Sequence, residues 1–211
     1  TLWNDEYGNK QLTEDKKIYT GSILEHLLIQ QLTAFYEVGD HNVYRLRGAD
    51  WNDALDMAAE KGESVAFTCA YAGNLRILAS LLHLMESATG ENSIPLLEEI
   101  QILLNDQVDM FDNVSQKKEI LAEYSKSCRH NLSGKQKEYS LSALAMNLLQ
   151  KASWITEHIR SQEWINLNDT EGWYNRLLRQ SWTIRRRILR GPDAYDAHRP
   201  GIFYYGKCCY R

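Results

Sequence analysis

The chain has 211 residues, of which 44% are hydrophobic and only three are proline, so it is long enough to bury the core of one domain. It contains no run of about eighteen apolar residues and no basic-then-apolar start, which predicts neither a membrane span nor a signal peptide. Its four cysteines lack metal-ligand spacing, and we expect a cytoplasmic protein without a metal site.

Charge divides the chain into two parts. Residues 1–175 carry 15 Lys and Arg against 26 Asp and Glu, a net charge of −11, whereas residues 176–211 carry 9 against 2, a net charge of +7. The two parts account for the total of −4. We therefore expect one folded domain over residues 1–175 and a separate tail over residues 176–211.

Hydrophobic spacing predicts two long helices in the first half of the chain. The first covers residues 18–38, with apolar residues three and four apart, and ends at Gly39. The second covers residues 64–87, with Ser64 as its N-cap and Gly90 closing its C-terminal end.

Three further helices are predicted in the second half. Residues 93–105 begin Ser-Ile-Pro, which is typical of an N-cap followed by proline in the first turn. Residues 115–128 form a more polar helix, and residues 140–159 repeat the amphipathic pattern. Strand signals are sparse. The sequence therefore predicts an all-α fold, either a helical array or an α/α barrel.

The segment between the first two helices carries the residues best suited to chemistry. Residues 45–56 read Arg-Leu-Arg-Gly-Ala-Asp-Trp-Asn-Asp-Ala-Leu-Asp. The indole of Trp51 offers a flat apolar face to a sugar ring, and Asp53 is a candidate acid for a glycosidic oxygen. The alternative is a loop whose Asp and Asn residues only cap the helix that starts near Ala54.

This segment resembles a known family of carbohydrate enzymes. LRGADWNDALDMAAEKGESVAFTCAYAGNL, with the upstream LEHLLIQQLTAFYEVGDHN, is similar to the catalytic domain of the family 94 glycoside phosphorylases, above all the 1,2-β-oligoglucan members. The resemblance covers roughly residues 1–175. It implies part of an (α/α)6 barrel, with Asp53 as general acid and Trp51 in the sugar site.

The resemblance also implies the substrates. The enzymes cleave β-glucosidic bonds with inorganic phosphate as co-substrate and no other cofactor, giving α-glucose 1-phosphate. Asp50 is assigned to a structural or sugar-hydroxyl contact, and Arg47, like Arg45, to substrate, phosphate or a surface salt bridge. The expected partners are an oligosaccharide and phosphate, not nucleic acid or a membrane, and the parent enzyme is compatible with a homodimer.

Residues 176–211 lack a hydrophobic period and match the family only in another reading frame. Back-translation with one choice of the degenerate codons, followed by a one-base shift, can give Gly-Tyr-Tyr-Asp-Asn-His-Gly directly after Asn175, and later a Thr-Gly pair like that of the family's phosphate site. We expect an out-of-frame tail, and an inactive fragment that lacks the phosphate site.

The remaining candidates have simpler interpretations. His26 and His41 are expected to be ordinary helix and turn residues, and Glu60 and Glu63 to lie in solvent at a helix start. Trp154, Trp164 and Trp173 either pack between helices, which we favour, or extend a sugar groove. Two other functions remain open: an inverting hydrolase with a second carboxylate opposite Asp53, and a small all-α interaction protein with a basic tail.

Overall fold

The computed structural model describes residues 8, 10–46, 62–168, 171–175 and 177–178. More than half of these residues are helical, and the described part of the chain contains six α-helices and six short strands. The helices are α1 Ile23–Tyr36, α2 Val65–Thr89, α3 Ile100–Leu103, α4 Val108–Phe111, α5 Val114–Ser127 and α6 Leu141–Gln162. The strands are β1 Glu63–Ser64, β2 Ser93–Leu97, β3 Gln136–Ser140, β4 Trp164–Asn166, β5 Gly172–Tyr174 and β6 Leu177–Leu178.

The strands form three antiparallel pairs, β1 with β6, β2 with β3 and β4 with β5. The prediction of a mostly helical protein is therefore confirmed, but the prediction of an all-α fold omitted these strands. One pair joins two distant parts of the chain, because Glu63 lies opposite Leu178 and Ser64 opposite Leu177. The described part of the chain thus includes a strand on each side of Asn175.

Among the described elements, helices α2 and α6 form the most extensive contact. The Arg76 guanidinium on α2 donates hydrogen bonds to the carbonyl of Ala152 and to Thr156 Oγ1 on α6, at 3.3 and 2.6 Å. At the far end, the N–H of Leu141 donates to the carbonyl of Asn92 at 3.0 Å. Since the end of α2 meets the start of α6, the two helices are antiparallel.

Helix α1 packs on α2 in the same antiparallel manner. The Asn74 amide donates to Gln31 Oε1 at 3.1 Å. Thr68 lies earlier on α2, and its Oγ1 accepts the N–H of Tyr44, which follows the end of α1. The apolar faces of α1, α2, α3 and α6 enclose the core between them. Its fully buried members include Leu28, Leu32, Leu75, Leu82, Ile100, Leu103 and Leu148.

The predicted caps of α2 are confirmed, and α6 has a similar N-cap. Ser64 Oγ accepts the N–H of Phe67 at 3.2 Å, and Gly90 ends α2 with a left-handed φ of 73°. Ser140 Oγ caps α6 by accepting the N–H of Ala143 at 3.3 Å. The first helix is shorter than predicted, because Ser22 caps it at its start and it ends at Tyr36.

The prediction of a helix over residues 93–105 is wrong. Residues 93–97 form β2, in which Pro95 lies opposite Glu138 of β3, and only the four residues of α3 are helical. Proline is tolerated because this sheet has two strands, so its missing N–H can face away from the partner. Leu96 and Leu97 become buried, which gives the strand its anchor in the core.

Among the described residues, α2 is the one helix long and apolar enough, by length and composition, to cross a membrane. Its most apolar window has a mean hydropathy of 1.4. A core helix of a soluble protein has the same properties, and eight side chains of α2 are buried within this fold.

Candidate functional site

The predicted site residues Arg47, Asp50, Trp51 and Asp53 all lie within residues 47–61, outside the described residues. Glu60 lies there too. The structure describes both ends of this segment, which we call the motif segment. Its geometry is therefore built from the residues immediately before and after it.

The two ends of the motif segment lie side by side. The N–H of Leu46 donates to the carbonyl of Gly62 at 2.8 Å, and Arg45 forms an antiparallel bridge with Glu63. The N–H of Ser64 donates to the carbonyl of Tyr44 at 2.9 Å. The segment that carries Asp53 therefore starts and ends at one place, directly before the first turn of α2.

A buried carboxylate lies at this base. Glu63 is 1% exposed, which corrects the expectation that it lies in solvent. Its Oε1 accepts the backbone N–H of His41 at 3.0 Å, and its Oε2 lies 2.5 Å from His41 Nδ1. His41 is consequently more than an ordinary turn residue: it satisfies a carboxylate that burial would otherwise destabilise strongly.

The turn that contains His41 is fixed from several sides. This His41 turn, residues 39–43, closes through a hydrogen bond from the N–H of Gly39 to the carbonyl of Val43 at 2.9 Å. Asn42 has a left-handed φ of 60°, and its amide donates to the carbonyl of Phe111 at 2.8 Å. Asn42 Oδ1 also accepts from Lys117 Nζ at 2.9 Å.

A fully buried lysine stands behind this turn. Lys117 Nζ lies 4.1 Å from the centroid of the Phe35 ring and 3.7 Å from that of Trp154. Burial lowers the pKa of Lys117 well below its ordinary value; the nearby Asp112 charge opposes this shift and the Lys151 charge adds to it.

His158 connects Trp154, which Lys117 contacts, to the His41 turn. Its ring stacks on Trp154 with centroids 4.8 Å apart, and its Nε2 lies 3.0 Å from the carbonyl oxygen of His41. Since a carbonyl only accepts, Nε2 must carry the proton. Burial lowers the pKa of His158, which favours the neutral ring with its proton on Nε2.

The three candidate tryptophans differ in their surroundings. Trp154 packs between helices, as favoured, with its ring edge-on to Phe35 at 5.8 Å and its Nε1 donating to Asp112 Oδ1 at 3.1 Å. Trp164 and Trp173 lie on the β4–β5 hairpin and are 37% and 39% exposed. Their part in a sugar groove stays a prediction.

A cavity of about 370 Å³ opens at the other end of α1. It is lined by polar and apolar side chains that include Gln11, Tyr19, Glu25, His26, Tyr124 and Cys128. Glu25 is satisfied there, because it accepts the Tyr19 hydroxyl at 2.9 Å and the N–H of Leu97 at 2.8 Å. Burial raises the pKa of Tyr19 to about 12 and also raises that of the Cys128 thiol.

This cavity is separate from the base of the motif segment. The cavity opens at the N-terminal end of α1, whereas the base lies beyond its C-terminal end. Within the described ranges, no group of three or more His, Cys, Asp and Glu side chains is arranged to hold a metal ion. The candidate site of the described chain is therefore the base formed by Glu63 and the His41 turn.

No model of a known protein family matches the chain, and no curated protein matches it. A functional assignment accordingly depends on the residues and on their geometry.

Proposed function

We propose that this chain is part of the catalytic domain of an inverting glycoside phosphorylase of family 94, with the motif segment at the mouth of an (α/α)6 barrel. Its substrates are β-1,2-glucooligosaccharides and inorganic phosphate. The observation that carries the proposal is the Asp-Trp-Asn-Asp sequence, located between α1 and α2 in a segment whose ends are hydrogen-bonded together. Loops that connect rigid helices are common positions for catalytic residues.

The proposed reaction needs one protein acid. A phosphate oxygen attacks the anomeric carbon from the face opposite the leaving group, and the glycosidic carbon–oxygen bond breaks. The Asp53 carboxyl group gives its proton to the departing oxygen. The products are α-glucose 1-phosphate and the shortened saccharide, while Trp51 stacks on a sugar ring and Asp50 and Arg47 contact substrate.

Phosphate is itself an anionic nucleophile, so no second carboxylate is required to activate water. An anion still needs a cradle of cationic side chains and N–H groups. In the proposal, the gene encodes that cradle in its original reading frame, from which residues 176–211 depart. The 211-residue chain is then inactive, because an acid without its opposed nucleophile site cannot reach reacting geometry.

The test compares two proteins. One is the chain as given; the other is the product of its gene with the frame restored after codon 175 and both flanking sequences included. Each is incubated with sophorose or longer 1,2-β-glucans and phosphate. We expect glucose 1-phosphate from the restored protein only, and its loss in Asp53→Asn.

Other outcomes would refute the proposal. Free glucose in place of glucose 1-phosphate, formed at the same rate without phosphate, would indicate the hydrolase. An undisturbed frame in independent gene sequences would exclude the frameshift, and phosphorolysis by the unaltered chain would exclude its predicted inactivity.

A further inference from the structure

We propose that the cavity at the N-terminal end of α1 binds a small organic cation, a primary ammonium group on an aromatic or apolar body, with Glu25 as its counter-ion. The cavity has a volume of about 370 Å³, within the range of about 300–1,000 Å³ that is usual for small-molecule sites. Its lining residues belong to the described part of the chain, and its occupant does not depend on the function proposed for the motif segment.

The carboxylate of Glu25 is buried in the wall of this cavity without a cationic partner among the described residues. Glu25 is 3% exposed, and its carboxylate receives two hydrogens, one from the Tyr19 hydroxyl and one from the N–H of Leu97. Both donors are neutral, and the ion pairs of the described chain involve other carboxylates. Because a buried charge is costly unless it is paired, a cation in the adjoining cavity would stabilise this carboxylate.

A second buried carboxylate makes the potential in this region more negative. Glu99 is 9% exposed and accepts hydrogen bonds from the backbone N–H and the hydroxyl of Ser133, at 2.7 and 3.1 Å. Burial raises the pKa of Tyr19 to about 12, and the charges of Glu25 and Glu99 act in the same direction. The N-terminal end of α1 offers only about half a positive charge, which cannot neutralise two carboxylates.

The hydrogen bonds of Glu25 favour an ammonium group over a guanidinium group. Oε2 accepts both the N–H of Leu97 at 2.8 Å and the Tyr19 hydroxyl at 3.0 Å, whereas Oε1 accepts only that same hydroxyl, at 2.9 Å. A carboxylate oxygen has about two acceptor positions, so the free position lies on Oε1. One position suits a single N–H donor but not the two parallel bonds of a guanidinium fork.

The absence of a side chain at Gly21 leaves room beside this oxygen. Gly21 lines the cavity, and a Cβ there would overlap Glu25 Oε1. The wall also includes Ile29 and the ring of Tyr124, which burial keeps as a neutral phenol by raising its pKa. A neutral aromatic ring can contact either a cation or an apolar body. The cavity therefore offers one charged contact together with aromatic and apolar surface.

The test compares three probes of similar shape: phenethylammonium, the neutral phenethyl alcohol and the anion hydrocinnamate. Binding to the full chain is measured at neutral pH by NMR titration, followed at the amides of Glu25 and Leu97. We expect the cation to bind at least about tenfold more tightly than the alcohol, and the anion to bind most weakly. Equal affinities of cation and alcohol, or no binding of either, would overturn the proposal.

Glu25→Gln tests the counter-ion directly. Its control is Glu119→Gln at an exposed position of α5, which changes the net charge by the same amount. We expect Glu25→Gln to weaken binding of phenethylammonium about tenfold and binding of phenethyl alcohol less than about threefold, with no change in the control. Unchanged affinity for the cation, or equal losses for both probes, would exclude Glu25 as the counter-ion.

Gly21→Ala is a second variant, which retains the Glu25 charge and remains informative if Glu25→Gln fails to fold. Its methyl group would displace Glu25 Oε1 or take the place of the ligand beside it. We expect at least about tenfold weaker binding of phenethylammonium, and no change in Gly73→Ala, whose Cβ meets nothing within 4 Å. Wild-type affinity in Gly21→Ala would overturn the proposed contact, and displacement of the probe by Ca²⁺ but not by Na⁺ would indicate a metal site instead of an organic cation.

Discussion

Lys117 Nζ lies 3.7 Å from the centre of the Trp154 ring, with its side chain fully buried between α5 and α6. The ring face and Asn42 Oδ1 favour the ammonium form, but burial acts more strongly and lowers the pKa of Lys117. Protonating this amine therefore costs free energy in the folded protein. This cost destabilises the buried side chains around Lys117 that support the His41 turn.

Replacing this amine with an apolar group should stabilise the fold. We expect Lys117→Met to raise the free energy of unfolding by about 1 kcal/mol at neutral pH, because it removes the desolvation cost and leaves only the Asn42 acceptor without its donor. The gain should be smaller at alkaline pH, where the wild-type amine is neutral in the unfolded chain as well. Urea unfolding at the two pH values measures both effects.

Lys118→Met is the control for this substitution, since its side chain is exposed and should change stability by less than about 0.5 kcal/mol. Destabilisation by Lys117→Met of more than about 1 kcal/mol at neutral pH would show that the ammonium group contributes net stability through the rings and Asn42.

Lys151 predicts a pH dependence of stability. Burial lowers its pKa from 10.5 to about 7, against the opposing charge of Asp106. Between these values the unfolded chain binds a proton that the folded protein does not, so stability rises with pH. The destabilisation is fully present below the pKa that Lys151 has in the folded protein and absent above the pKa that it has in the unfolded chain. One such group contributes roughly 1.4 kcal/mol per pH unit within this window.

We expect Lys151→Met to reduce the slope of unfolding free energy against pH by about that amount between about pH 7 and about pH 9. The comparison stays below the range in which tyrosine ionises. The exposed Lys137, which donates to Gln101 Oε1 at 2.9 Å, provides the control variant Lys137→Met. An unchanged slope in Lys151→Met would show that Lys151 stays protonated in the folded protein.

Local signals in the sequence predicted most of the helical framework. Ser64 and Gly90 cap α2 as expected because capping depends on residues three or four positions apart. The same local rule failed at Pro95. Its Ser-Ile-Pro start suits a helix, and only the distant partner strand β3 decides in favour of an extended conformation.

Local sequence signals could not predict the base of the candidate site, for a similar reason. Glu63 precedes a helix, where a solvated acid is common, and nothing local shows that His41 meets it. Burial of Lys117 likewise depends on helices far away in the chain. The Gly-Asp-His-Asn turn before the motif was the available signal, since Gly and Asn favour tight turns.

Two glycines provide a matched test of how closely Glu63 fits. A Cβ at Gly39 would overlap the Glu63 side chain, whereas one at Gly73, inside α2, meets nothing within 4 Å. We expect Gly39→Ala to destabilise the fold by about 2 kcal/mol, because it displaces the buried carboxylate from His41. Gly73→Ala should stabilise it by up to about 1 kcal/mol through helix propensity.

Thermal and urea unfolding of both variants measures this difference. Gly39→Ala should also accelerate amide exchange at Leu46. Equal stability of the two alanine variants would mean that the Glu63 side chain can move aside without losing its hydrogen bonds.

Substitution can distinguish the roles that we propose for Trp51 and Asp53. Stacking on an indole depends on the ring, whereas Asn can replace most of the hydrogen bonds of an aspartate without its acidity. We expect Trp51→Ala to weaken binding of a 1,2-β-glucooligosaccharide about tenfold, equivalent to roughly 1.4 kcal/mol, and Asp53→Asn to change it by less than about threefold. Isothermal titration calorimetry measures both, and Lys118→Met provides a control at an exposed residue. Equal binding by wild type and Trp51→Ala would remove Trp51 from the sugar site, and a large loss in Asp53→Asn would make Asp53 a binding residue rather than only a proton donor.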